Sequence, residues 1–101
     1  MARRRRVVWT EEALRSLEQT LDYVALDSEA NARRVGAEFL RAVRLIARFP
    51  QLGRVVPEVG DPRLRERIVF RFRLIYRLRG EQLEVVTIIH AASRLPPRRA
   101  E

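Results

Sequence analysis

The run Leu64-Arg65-Glu66-Arg67-Ile68-Val69-Phe70-Arg71-Phe72-Arg73-Leu74-Ile75-Tyr76-Arg77-Leu78-Arg79 decides the fold. Leu64, Ile68, Phe70, Phe72, Leu74, Tyr76 and Leu78 alternate with Arg65, Arg67, Arg71, Arg73, Arg77 and Arg79. Apolar and charged positions recurring every second residue specify β structure, with one set on each face. Sixteen residues exceed the usual strand of about 5–6. A break is therefore expected near Val69 to Arg71, although no glycine or proline marks it. With Leu64, Ile68, Phe70, Phe72, Leu74 and Tyr76 turned toward a core, the other face would display arginine.

Outward from this run, Arg79-Gly80-Glu81-Gln82 reads as a hairpin turn. Leu83 to His90 is apolar at both parities, as a central strand requires. Upstream, Pro50 to Pro62 holds three prolines and two glycines and is loop. Before it lie two helical patterns. Thr10 is a candidate N-cap, with Glu11 and Glu12 in the first turn, and Leu14, Leu17, Leu21 and Val24 form a stripe over about 11–26. Ser28 starts a second helix that carries Ala32, Val35, Gly36, Phe39, Val43 and Ile46 to Phe49, where Pro50 stops it. Arg5-Arg6-Val7-Val8-Trp9 reads as an initial strand. The order is β-α-α-β-β-β, an α+β fold. An N-terminal strand and a three-stranded antiparallel sheet make four antiparallel strands, covered on one face by an antiparallel helical hairpin.

The length of 101 residues allows one domain, with an ordered body over about 5–94 and basic arms at 1–6 and 95–101 expected to be mobile. Apolar residues at 47% and charged residues at 34% exclude a disordered chain. No apolar run approaches the ~18 residues of a membrane span, and Val7-Val8-Trp9 is too short for a signal peptide. A cytoplasmic protein without membrane contact is expected. With no cysteine, disulfides and sulfur-ligated zinc are excluded. Glu11, Glu18 and Asp22 share a helical side without a histidine or cysteine to join them, so no metal and no cofactor is expected.

The net charge is +8, and all 21 basic residues are arginine. Placement says more than the total. Residues 7–62 carry 7 arginines against 9 acids, whereas 63–97 carry 8 against 3. The second half would present a basic face to an anionic partner. Arg65, Arg67, Arg71 and Arg73 can bind phosphate or an acidic protein surface, because guanidinium forks match oxyanions. The competing reading is a solvated face paired with Glu66, Glu84 or the helices, and Arg73 in particular reads as structural. The arms, Arg3 to Arg6 with Arg98 and Arg99, either add salt-sensitive contact to nucleic acid or are solvated tails of no fixed role. His90 is a general-base candidate by its reference pKa near 6.5. Without a second base or acid nearby in sequence, a strand-end histidine bonded to backbone is preferred.

Several short motifs, taken in order, carry a family resemblance. They are Trp9-Thr10 before an Ala-Leu-rich helix, Phe49-Pro50-Gln51-Leu52-Gly53-Arg54, Phe72-Arg73-Leu74-Ile75-Tyr76-Arg77, and Val85-Val86-Thr87-Ile88-Ile89-His90 with Arg94 behind it. Over roughly residues 5–94 the chain resembles the ParE/RelE toxin superfamily of type II toxin–antitoxin modules. The resemblance implies a cognate ParD-like antitoxin, a toxin–antitoxin hetero-oligomer and a part in plasmid stabilisation. RelE-like members cleave messenger RNA on the ribosome, with a C-terminal tyrosine or histidine–tyrosine pair supporting arginines and lysines. After His90 this chain has no aromatic residue, and it has no lysine. ParE-like members keep a late histidine followed by arginine and poison DNA gyrase, which Ile89-His90-Ala91-Ala92-Ser93-Arg94 resembles more closely.

The resemblance thus implies a gyrase inhibitor that is not an enzyme, with Arg65, Arg67, Arg71, Arg73, His90 and Arg94 contacting target or antitoxin. The alternatives are a ribosome-dependent endoribonuclease using Arg65, Arg67, His90 and Arg94, and a non-catalytic basic nucleic-acid-binding domain. Arg54 is expected to pin the loop that follows the helices.

Overall fold

The computed structural model describes residues 4–95. The elements are β1 (Arg6–Trp9), α1 (Glu11–Ala25), α2 (Glu29–Arg48), a single 3-10 turn (Pro50–Leu52), β2 (Arg54–Val55), β3 (Leu64–Val69), β4 (Phe72–Arg79) and β5 (Gln82–His90). Both helix starts are capped as expected. Thr10 Oγ1 accepts from Ala13 N–H at 3.0 Å, and Ser28 Oγ from Asn31 N–H at 3.1 Å.

The sheet is five-stranded and mixed, in the order β1-β5-β4-β3-β2. This corrects the expectation of four antiparallel strands. β2 is a short extra strand hidden in the proline-rich loop, paired antiparallel to β3 through Arg54–Glu66 and Val55–Arg65. It adds one reversal of chain direction, so β5 runs parallel to β1, with Val7 opposite Leu83 and Trp9 opposite Val85. Where β1 ends, α1 takes over its edge. Thr10 Oγ1 donates to Val86 O (2.9 Å) and Ile88 N–H donates to Ser16 Oγ (3.0 Å). These bonds fall at and just after the irregularity at Val86, which lies between the pairs Tyr76–Val85 and Ile75–Thr87.

The expected break falls at Phe70-Arg71. These two residues form the turn of a tight hairpin in which Val69 pairs with Phe72. The turn also corrects the assignment of faces. Partners across it sum to an odd number (Arg65 with Tyr76, Arg67 with Leu74, Ile68 with Arg73). Odd positions of β3 therefore share a face with even positions of β4. Val69, Phe72, Leu74 and Tyr76 belong to the main core with α2's Phe39, Val43 and Ile46, and Arg65 and Arg67 lie on that same side. Leu64, Glu66, Ile68, Arg73 and Ile75 occupy the other face, where Val56, Leu64, Ile75, Val86 and Leu95 make a second, smaller core. The arginines do not share one face.

Phe39, Ile46, Leu74, Tyr76 and Leu83 are fully buried, each worth about 1.5–3 kcal/mol in burial free energy. Leu17, Leu21 and Val24 pack against this core. Leu14, expected with them, is 52% exposed: Ala13 takes the inward position at the start of α1. At the C-terminal end, Leu95 is buried in the second core, one residue beyond the expected body. Arg5 N–H donates to Ala47 O and Arg6 begins β1, so that part of the N-terminal arm is held by the fold. Arg3, Arg98 and Arg99 lie outside the described residues.

Candidate interaction surface

The β3–β4 turn and the α1–α2 connection meet over a cleft of about 510 Å³. Tyr23, Leu26, Asp27, Arg34, Phe70 and Arg71 line it. Tyr23 is 73% exposed, Leu26 84% and Phe70 52%, an apolar surface that solvent alone does not favour. Asp27-Ser28 is too short a connection to fold Leu26 back under the helices. Phe70 has φ +55°, unlike every other described non-glycine residue. The first central position of a two-residue hairpin ordinarily takes glycine, and a bulky residue held there costs about 1–2 kcal/mol. The chain therefore carries backbone strain to display an aromatic ring at the turn, the kind of feature that marks functional surfaces. The Arg34 guanidinium lies 5.7 Å from that ring's centroid, and Arg34 with Arg71 gives the rim a net positive charge against Asp27.

A neighbouring cleft carries His90, beside Ser16, Gln19, Thr20 and Tyr23. His90 Nδ1 accepts from Ala92 N–H at 3.0 Å, and its ring meets Phe72 edge-on at 5.9 Å. This is the backbone-bonded strand-end histidine.

The other candidates lie in separate places. Arg65 is engaged with the main chain, donating to Pro62 O and Gly53 O at 2.9 Å each. Arg67 lies beside α2, near Glu38 and Arg41. Arg71 is exposed on the turn, and its carbonyl accepts from Ala91 N–H. Arg94 is exposed on the opposite side of the sheet, in a cleft with Arg54, Pro57 and Ser93.

Arg73 is internal. Its Nε donates to Glu66 (2.7 Å), its two Nη atoms to Glu58 (2.8 Å each), and Nη1 also to Ser93 O (2.9 Å). Glu66 in turn accepts from Arg54 Nε at 2.6 Å, and Glu58 from Leu95 N–H at 2.8 Å. Arg54 thus pins the loop as expected. The Arg73 guanidinium, then the Leu95 N–H, hold the Glu58 carboxyl far below the usual carboxylate range, and Glu58 raises Arg73 in return. The network straps the loop after β2 and the segment after β5 to the sheet. Arg73 is therefore not available as a contact residue.

A second latch joins two of the sequence motifs. Gly53 N–H donates to Tyr76 Oη at 3.0 Å, and that hydroxyl donates to Pro50 O. Burial pushes the phenol up. A Cβ on Gly53 would stand 2.5 Å from Tyr76 Oη and 2.6 Å from Glu66 O, so only glycine fits.

Sequence reading misses Phe70, Leu26 and Glu58; it offers Glu66 as a partner of the sheet arginines, but on a solvated face and not a buried one. Alternation places Phe70 in the core, and Glu58 lies in a proline- and glycine-rich loop where nothing local marks an ion pair. Among the described residues, no group of three or more histidine, cysteine or acidic side chains could hold a metal ion. No helix there is long and apolar enough to cross a membrane.

No protein of curated function matches the chain. Among solved structures it is similar to one described as a chromosomal ParDE TA system from P. aeruginosa. The TM-score is 0.69 at 20% identity, over 85% of this chain and 95% of that one, which establishes a shared fold. The motifs that form the Tyr76 and Arg73 latches lie inside the segment 7–95 that matches the family model described as ParE toxin of type II toxin-antitoxin system, parDE, and the chain belongs to that family.

Proposed function

We propose that this type II toxin acts in the cytoplasm by poisoning DNA gyrase through binding, and that a ParD-like antitoxin neutralises it in a toxin–antitoxin hetero-oligomer. One observation carries the non-catalytic reading. The four residues a ribonuclease would use stand on two sides of the sheet: Arg65, Arg67 and His90 on the helix side, Arg94 in the cleft with Arg54 and Ser93 on the other. General acid–base cleavage needs its groups within hydrogen-bond reach of one phosphate. Arg65 and His90 are also already engaged with backbone.

The cleft of Tyr23, Leu26 and Phe70, rimmed by Arg34 and Arg71, suits an amphipathic, acidic antitoxin segment that folds on binding. Arg67, Arg71, His90 and Arg94 are the contact residues left accessible for the target. Mapping of transcript ends after induction separates the two activities. Growth arrest without codon-positioned cuts, reversed by the co-expressed antitoxin, is expected. Codon-positioned cuts would replace this reading with the ribonuclease.

A further inference from the structure

The solvent faces of the two helices carry opposite charge. On α2, Arg33, Arg34, Arg41, Arg44 and Arg48 fall within about 100° of the helix circumference. The other residues of that arc are Ala30 and Ala37, both exposed. The arc points directly away from the buried stripe of Val35, Phe39, Val43 and Ile46. No acid lies inside it. Glu38, at its margin, pairs with Arg41 at 3.1 Å. The exposed side of α1 instead carries Glu11, Glu18 and Asp22 against a single arginine, Arg15, which lies 3.8 Å from Glu11, so arginine-rich composition alone does not produce the band. Among the described residues, no ion pair joins an acid of α1 to an arginine of α2. Arg67 of β3 lies in a shallow cleft beside Arg41 and widens the band toward the sheet.

We propose that this face of α2 binds the phosphate backbone of duplex DNA. From Arg33 to Arg48 it runs about 22 Å, the length of roughly six nucleotides of one strand at 3.4 Å each. Guanidinium forks pair with phosphate oxygens, and the two alanines leave the surface flat enough for a backbone to approach. An acidic protein is the competing occupant, since arginine also anchors protein contacts. The even spread of arginine along the whole arc, with only alanine between, matches a repeating phosphate charge more closely than a single anchor pocket. The inference does not rest on gyrase being the target. It stands or falls by direct binding.

The test is fluorescence anisotropy of the full-length protein with a labelled duplex of arbitrary sequence, between about 50 and 200 mM salt. Replacing Arg33, Arg44 and Arg48 together by glutamine, close to arginine in helix propensity, is expected to weaken binding at least tenfold at the lower salt. The log–log salt slope is expected to fall by about 3. The corresponding triple lysine variant, which keeps the charge, is expected to retain binding. Failure of the wild-type protein to bind the duplex would overturn the proposal. So would a glutamine variant with unchanged affinity and slope, or binding to polyglutamate as tight as to duplex at equal charge.

Discussion

Glu66 and Arg73 sit diagonally across the β3–β4 hairpin and form an ion pair with both side chains withdrawn from water, at 0% and 6% exposure. Such a pair is costly to assemble and more costly to break, because removing one partner strands the other charge. Arg73→Met is expected to destabilise the fold by about 3 kcal/mol or more, measured by urea unfolding. A loss below about 1 kcal/mol, the worth of a surface pair, would contradict the internal role.

The same network sets the acid limit of the fold. Glu58 is held well below its ordinary value of 4.5 by Arg73 and the Leu95 N–H, and Asp61 is lowered by Arg63. A lowered carboxyl contributes its full stability above the unfolded-state pKa and loses it as pH falls toward the folded-state value. Stability is expected to hold from pH 7 to about 5 and decline below that. Glu58→Gln should give a shallower decline in thermal melts taken across that range. An unchanged acid limb would place the proton uptake elsewhere.

The Tyr76 latch predicts two further losses. Tyr76→Phe leaves Gly53 N–H and Pro50 O without their partner, at about 2 kcal/mol. Gly53→Ala forces a Cβ against the Tyr76 hydroxyl and the Glu66 carbonyl and is expected to cost about 1–3 kcal/mol. Chemical denaturation of both variants checks this, and a neutral Gly53→Ala would contradict the close approach.

Phe70 separates stability from binding. Phe70→Gly relieves the positive φ while removing a half-exposed ring, so melting temperature is expected to hold or rise. Affinity for the antitoxin is expected to fall at least tenfold in calorimetric titration. Unchanged antitoxin affinity would remove the turn from the interface.

These residues also mark how far the sequence was legible. Helix starts at Thr10 and Ser28, the stop before Pro50 and the Gly80-Glu81 turn could all be read, because each depends on local chemistry. The face of each arginine could not. Phe70-Arg71 turns the chain without glycine, and that turn inverts the inside–outside parity for everything after it. The parallel pairing of β1 hung on Arg54–Val55, two residues inside a loop with no strand signature. Glu58 and Glu66 became internal only because Arg73 and Arg54 reach them from other elements. The α2 arginine band was concealed in the charge balance of residues 7–62, where the acids of α1 offset it.

The proposed action of this toxin is on gyrase, by binding. The most direct measurement is a plasmid supercoiling and cleavage assay with purified gyrase, ATP and the purified chain, titrated with antitoxin. Linear plasmid that accumulates with the toxin and disappears with the antitoxin is the predicted result. Unaltered supercoiling and no linear product, at concentrations where induction still arrests growth, would contradict it.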